Sequence, residues 1–407
     1  MAAALPLRRS SGVLLHPTSL PDGRLGRDAY AFVDWLVEAG QRYWQVLPLG
    51  PPDEWGSPYA GRSAFAGWGG FLADPDARVS RREEADFRRR HAYWIDDWAS
   101  YEGHTGATAV QVRFEREWGA LRTYANRRGI RIVGDLPLYV GRWSADVAAH
   151  PELFDRSHSA GVPPDIFSTT GQMWGNPPYR WDVLHSTGYR WWIERLRHEL
   201  QLFDALRLDH FRGYVAYWVV PRRNRTARNG RWRRGPGQAL FTAVQTELGA
   251  LPAIAEDLGY ITDPVRRLRD ALGLPGMQIL QWSLGGKSLE PRVNAVVYSS
   301  THDNDTARGW WDHARPRARR RFEIACAEAR VDPDDPAWAI VELTLAARAR
   351  LAVVPVQDIL GLGSEARMNV PSTTGQNWKW RLEPGQLTSW HAARLREATS
   401  RWRRLAR

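Results

Sequence analysis

The sequence predicts an α/β chain folded as a (β/α)8 TIM barrel, with insertions over the C-terminal face of the strands. Three observations point there. Eight short apolar or β-branched runs occur in order, most of them ending in a polar or glycine-rich turn. Segments with helical periodicity separate most of these runs, the pattern of parallel strands joined by crossover helices. Neither G-x-G-x-x-G nor G-x-x-x-x-G-K-[ST] follows the first run, which removes the nucleotide chemistry of the rival fold, an open doubly wound sheet.

The strand runs are Gly12 to His16, Tyr43 to Leu49, Ile130 to Leu136, Ala205 to His210, Pro252 to Asp257, Met277 to Trp282, Ala295 to Ser299 and Leu351 to Ile359. Between the first two, Asp28 can cap a helix whose apolar positions Ala29, Phe32, Val33, Leu36 and Val37 form one stripe, with Gly40 ending it. Thr262, Asp263 and Pro264 make a strong helix start before VRRLRDALG. Three stretches are too long for barrel turns: Pro51 to Arg113, Gly141 to Gly188 and Tyr214 to Gly237. Each follows the C-terminal end of a strand, where barrel enzymes keep their active sites. The whole chain, 1–407, reads as one barrel domain, since its 407 residues with 43% hydrophobic content can bury a core of that size.

Composition narrows the function. MAAALPLRRSSG has no apolar run of signal-peptide length and no stretch approaches a membrane span, so the expected location is cytoplasmic. The single cysteine, Cys326, excludes an internal disulfide and reads as a small core residue. The net charge of +11 would ordinarily suggest nucleic acid. Of the 56 basic residues, however, only Lys287 and Lys379 are lysine, and the arginine clusters at 88–90 and 317–321 alternate with acids or apolar helix positions. They read as solvated faces, and no nucleic-acid partner is expected.

Four acids stand at predicted strand ends: Asp135, Asp209, Glu256 and Asp303. Burying an unpaired carboxylate costs several kcal/mol, so four converging on one barrel mouth imply a role. Neighbouring strands lie about 4.8 Å apart, so Asp209 and Glu256, on the fourth and fifth strands, can hold their carboxyls near the roughly 5 to 5.5 Å of a retaining glycosidase pair. Arg207 shares a strand face with Asp209 and would keep it ionised and nucleophilic. Glu256 faces other acids, which favours a proton on it and the role of general acid. Asp303 can hydrogen-bond sugar hydroxyls and favour a positively charged transition state. His302, Asp303 and Asp305 fit no zinc motif, and no G-x-S-x-G elbow marks an acyl-transfer serine, so no metal and no cofactor is expected. Of the 22 tryptophans, Trp191, Trp192 and Trp338 sit in helical patterns as core, whereas Trp55, Trp68, Trp174 and Trp378, with Tyr59, lie in Gly/Pro-rich loops as candidate sugar platforms.

At these residues the chain resembles the amylomaltases, 4-alpha-glucanotransferases of glycoside hydrolase family 77 allied to the alpha-amylases, over nearly its whole length. LLHPTSLP, RYWQVLPLGP, SPYAGRSAFAG, GDLPLYV, GQMWGNPPYRWDVL, LRLDHFRG, IAEDLG, THDNDT and QDILGLGSEARMNVP look like that family's blocks, in its order. The resemblance implies Asp209 as nucleophile, Glu256 as acid/base and Asp303 as third carboxylate. It also implies sugar contacts from Ser57, Tyr59, Trp174, Arg207, His302 and Asn369, a cleft-covering loop over Gly161 to Trp174, and malto-oligosaccharide substrates. An alpha-glucan hydrolase would use the same residues with water as acceptor; the other alternative is a glucan-binding protein that has lost activity, against which the intact acids argue. Two departures stand out: the stretch between Gly67 and Arg113 is shorter than in familiar members, and so is the link from Trp282 to Asn294. Both bear on remote subsites, chain length and cyclic products rather than on the acids. Monomer and homodimer are both open.

Overall fold

A strand buried on both faces is predominantly apolar, and eight strands of the chain fit that pattern, with a few buried polar residues among them. They are β1 (Ser10–Leu14), β2 (Tyr43–Gln45), β3 (Arg131–Leu136), β6 (Ala205–Leu208), β9 (Ala253–Ala255), β10 (Gly276–Ile279), β11 (Ala295–Tyr298) and β12 (Leu351–Pro355), buried throughout apart from Arg131. They close into a parallel barrel in the order β1-β12-β11-β10-β9-β6-β3-β2. The predicted barrel is therefore present. The computed structural model describes residues 8–164, 168–286, 292–373 and 375–405. Residues 1–7 of the leader reading, 165–167 of the expected cleft-covering loop, and 287–291 of the shortened link lie outside the described residues.

Two of the predicted runs pass from strand directly into helix. The run from Met277 becomes helix at Leu280–Leu284, and the last run becomes helix at Val356–Ile359. The barrel strands have only three to six residues, and a buried apolar run does not reveal where strand gives way to helix. The first helix, Arg27–Glu38, starts on Gly26 rather than Asp28, which lies inside its first turn, and Val37 is exposed. Thr262 does stand at the N-terminus of Asp263–Ala271, although its hydroxyl makes no capping bond. Trp191, Trp192, Trp338 and Cys326 are all buried as core.

The chain packs as two compact units. One is built on Pro48–Ala120 and Gly134–Leu274, the other on Pro6–Leu47, Leu121–Val133 and Pro275–Arg407. In the first unit the sequence reading missed a second sheet. β4 (His158–Val162), β5 (Gln172–Met173), β7 (Ala216–Pro221) and β8 (Arg231–Arg234) form an antiparallel sheet in the order β5-β4-β7-β8, within stretches read only as insertions. The partners of β4 in β7 lie about 60 residues away, so no local turn signal announces the pairing. Helices Arg81–Arg90, Ile95–Glu102 and Ala107–Arg127 occupy most of the stretch from 81 to 127, the first held by a Ser80–Glu83 capping box. The arginine cluster at 88–90 is spent on ion pairs: Arg88 with Asp96, Arg89 with Asp86 and Arg90 with Glu115. In the second unit Arg404 is fully buried, and its guanidinium donates to the carbonyls of Ser10, Leu345, Ala347, Ala349 and Arg350, tying the C-terminal tail to the base of β1 and β12. Among the described residues no helix is long and apolar enough to cross a membrane.

Candidate active site

Register brings the central acids together. β6 and β9 pair in parallel with Leu206 opposite Ala253, Arg207 opposite Ile254 and Leu208 opposite Ala255, so the next step places Asp209 beside Glu256. The ladder continues past the strands: the Glu256 N–H donates to Leu208 O at 3.1 Å, and the Phe211 N–H to Glu256 O at 3.1 Å. The Asp209 N–H donates to Leu136 O at 3.0 Å, which brings Asp209 to the end of β3 one residue from Asp135.

Arg207 is the hub of this cluster. Its Nη1 lies 2.7 and 2.8 Å from the two Asp135 carboxylate oxygens and 3.1 Å from Asp209 Oδ1, and its Nη2 lies 3.8 Å from Glu256 Oε2. Arg207 and Asp135 are buried, while the Asp209 and Glu256 side chains keep 24% and 15% of their exposure, enough for a ligand to reach them. Burial alone would lower the guanidinium pKa, but Asp135 and Asp209, then Tyr59 and Glu256, outweigh it and hold the arginine firmly charged. Tyr59 closes the network, its hydroxyl donating to Asp135 Oδ2 at 2.7 Å.

The loop that carries Tyr59 is locally determined. Asp53 Oδ1 accepts from the Trp55 and Ser57 amides, and Ser57 Oγ caps the short 3-10 turn Pro58–Ala60 by accepting from the Tyr59 N–H. Ser57 thus does structural work in positioning Tyr59. Gly141 closes the far side of that turn: a Cβ there would stand 2.4 Å from the carbonyl oxygens of Ala60 and Gly61. Buried Arg195, on the helix Arg190–Leu202, donates to Pro137 O and to the Tyr179 hydroxyl, bracing the chain just after Asp135.

His210 follows Asp209 in the left-handed region, at φ 47, a conformation a non-glycine residue seldom adopts without compensation. The compensation is that its N–H donates to Glu256 Oε2 at 2.5 Å. The His210 ring meets Trp174 edge-on at 4.9 Å, and burial, with Arg212 and Arg207 nearby, pushes its pKa down to about 3, leaving it neutral. The sequence reading missed His210 because simple strand alternation does not foresee a left-handed residue directly after Asp209.

Asp303, His302 and Asn369 gather in the second unit. Asn369 Nδ2 donates to Asp303 Oδ1 at 2.6 Å, His302 Nε2 lies 3.2 Å from Asp303 Oδ2, and the Arg367 guanidinium donates to the Asp303 carbonyl. Trp378 packs 5.9 Å from the His302 ring. His16, inside the LLHPTSLP block, is pushed down to about 3 by burial and by His302. Asp305 turns away, accepting from Ser364 Oγ and from the Thr306 amide, so it makes no ligand set with His302 and Asp303. Among the described residues no cluster of three or more His, Cys, Asp or Glu side chains is arranged to hold a metal. Of the other loop aromatics, Trp68 packs on Phe71, while Trp55 is 62% exposed.

Glu199 is a second residue missed in the sequence. It stands one turn after Arg195 and lines a cavity of about 40 Å³ together with Tyr59 and Arg195. Burial, reinforced by Asp135 and opposed by Arg195, pushes its pKa up to about 8. A carboxyl raised in the folded state withholds no stability below its unfolded pKa of about 4.5; stability is then lost as the pH climbs to about 8. Glu199→Gln should therefore be neutral near pH 4.5 and stabilising by roughly 2 to 5 kcal/mol at pH 8.5. Urea unfolding at the two pH values checks this, and an equal effect at both would refute it.

A family model described as 4-alpha-glucanotransferase matches residues 14–76 and 104–388 of the chain. The chain belongs to the 4-alpha-glucanotransferase family. The family's member from Thermus thermophilus is 41% identical over 500 aligned positions, covering 98% of this chain and 100% of the relative. That alignment is longer than the chain itself, so the relative carries residues that this chain lacks. A 4-alpha-glucanotransferase of Synechocystis is 37% identical, covering 95% of this chain and 96% of its own length. Among solved structures, an amylomaltase from Streptococcus agalactiae in complex with acarbose superimposes with a TM-score of 0.91 at 32% identity, covering 98% of this chain and 100% of that one. At 13% identity and a TM-score of 0.53, an alpha-amylase from Lactobacillus plantarum shares the fold.

Proposed function

We propose that this 4-alpha-glucanotransferase works by double displacement, as one catalytic domain spanning 1–407 and in the cytoplasm, on malto-oligosaccharides. Asp209 attacks the anomeric carbon of a donor glucan, and the bond from that carbon to O4 breaks as Glu256 passes its proton to the leaving oxygen. The 4-hydroxyl of an acceptor then attacks the same carbon, its proton goes to Glu256, and Asp209 departs as a carboxylate. Two inversions give retention, and no redox or metal chemistry is called for.

The observation that carries the reading is the single buried guanidinium of Arg207, hydrogen-bonded to Asp209 and 3.8 Å from Glu256, on strands in register. It keeps Asp209 anionic while the Glu256 carboxylate, formed when the proton leaves, is met by the same cation and by the His210 N–H. Asp303, held by Asn369 and His302, is the third carboxylate by the family resemblance, with sugar hydroxyls as its expected partners. Tyr59 and Asp135 belong to the Arg207 network, and Ser57 and Trp174 are further candidates for sugar contact. The relative solved with acarbose supports a glucan-like ligand.

The test is the product profile from maltotriose. Transfer yields glucose together with maltopentaose and longer chains; products that are only shorter than maltotriose would mean hydrolysis and would overturn the reading.

A further inference from the structure

Outside the acid cluster, the first unit contains a cavity of about 420 Å³, within the roughly 300 to 1,000 Å³ of small-molecule sites. It shares no lining residue with Asp135, Asp209 or Glu256. Its walls are aromatic: Phe65 stacks on Trp94 at 6.0 Å, Trp94 meets His198 at 5.4 Å, and Phe87 meets His91 at 4.2 Å. On its rim Glu115 is bound by Arg90 at 2.8 Å and by His91 at 2.6 Å. Burial tends to raise the Glu115 pKa, but His91 and Arg90 outweigh it, so the carboxylate stays charged and compensated. His198, pushed down to about 4 by burial and by His91, is neutral. A charged ligand would find its counter-charge already taken. The Trp94 indole N–H is nonetheless buried without a hydrogen-bond partner among the described residues, a polar group that a ligand can satisfy.

Aromatic faces, planar polar groups and a neutral rim are the chemistry that receives a sugar ring, whose apolar face stacks while its hydroxyls bridge side chains. Phe87, Arg90, His91 and Trp94 all fall in residues 77–103, the internal stretch the family model leaves unmatched. Four of the fourteen residues that line the cavity thus come from the stretch outside the family match. We propose that this cavity is a second sugar site, which holds a glucosyl unit of a long alpha-glucan and tethers the polymer while the acids act on it. The inference rests on the glucan reading above.

Gly119 supplies a clean probe. It lines the cavity from within the helix Ala107–Arg127, and a Cβ placed on it meets nothing within 4 Å. Gly119→Trp therefore fills the cavity with little strain and with a gain in helix propensity. Titrating maltoheptaose calorimetrically into the Asp209→Asn protein is expected to show two binding events per chain, and into Asp209→Asn/Gly119→Trp only one. In the active enzyme, Gly119→Trp should raise the ratio of KM for amylose to KM for maltotriose about tenfold, the loss of a local tether. A single event in the starting variant, or two that survive Gly119→Trp, overturns the proposal. If the wild type fails to transfer maltotriose, the functional reading falls instead, and the calorimetric comparison still decides the cavity.

Discussion

Asp209→Asn is expected to reduce maltotriose disproportionation by at least about 10⁴-fold, a loss of roughly 5.5 kcal/mol of transition-state stabilisation. The amide keeps the shape of the side chain but cannot form the bond to the anomeric carbon, and it no longer offers the charge that Arg207 holds at 3.1 Å. Chemistry separates this role from that of Glu256. With maltosyl fluoride, whose leaving group needs no proton, Glu256→Gln should retain formation of the glycosyl-enzyme while Asp209→Asn should not. In Asp209→Gly, added azide should occupy the vacated face and give a β-glycosyl azide, the product of one displacement rather than two. Chromatography and anomeric NMR read both outcomes. Retention of more than a few per cent of wild-type transfer by Asp209→Asn would remove that residue from the mechanism.

Arg207→Met is expected to cost both activity and fold. The Asp135 side chain is fully buried and draws two short hydrogen bonds from Arg207, so deleting the guanidinium strands a buried carboxylate at a cost of about 3 to 5 kcal/mol. Because Asp209 and Glu256 lose the same cation, kcat/KM should fall by about 10² to 10³-fold. The two effects are separable. Arg207→Met/Asp135→Asn removes the stranded charge and should recover most of the lost stability, as replacing both members of a buried pair generally does, yet none of the lost activity. Denaturant unfolding and initial rates on the two variants decide the matter; an Arg207→Met protein within about 0.5 kcal/mol of wild type would show that the network is not the structural hub inferred from its distances.

These expectations show how unevenly the chain announces itself. The barrel was legible because parallel strands buried on both faces are predominantly apolar runs, and eight such runs separated mostly by helical periodicity leave few ways to pack. The acids were legible because a carboxylate at the end of an apolar strand has no cheap structural excuse. Arg207 was readable from spacing alone, two residues before Asp209 on the same strand face. Less was visible wherever partners are distant in sequence. The sheet of β4, β5, β7 and β8 hid in stretches read only as insertions, since its pairing joins residues about 60 positions apart. Ser57 carried a sequence signal for the site, but only the folded loop reveals its hydroxyl holding the Tyr59 amide.

The sequence by itself determined the order of the barrel strands, their burial and the positions of the acids at or just beyond strand ends, because hydrophobic periodicity and the cost of buried charge act residue by residue. Only the tertiary structure decided which of these groups share a hydrogen bond. Arg207 bridges Asp135, Asp209 and Glu256, His210 turns left-handed to give its N–H to Glu256, Glu199 is driven toward neutrality, and an aromatic cavity opens beside Gly119. Each depends on distances between segments far apart in the chain, and electrostatic and hydrogen-bond energies change steeply over the ångström that local sequence leaves undetermined.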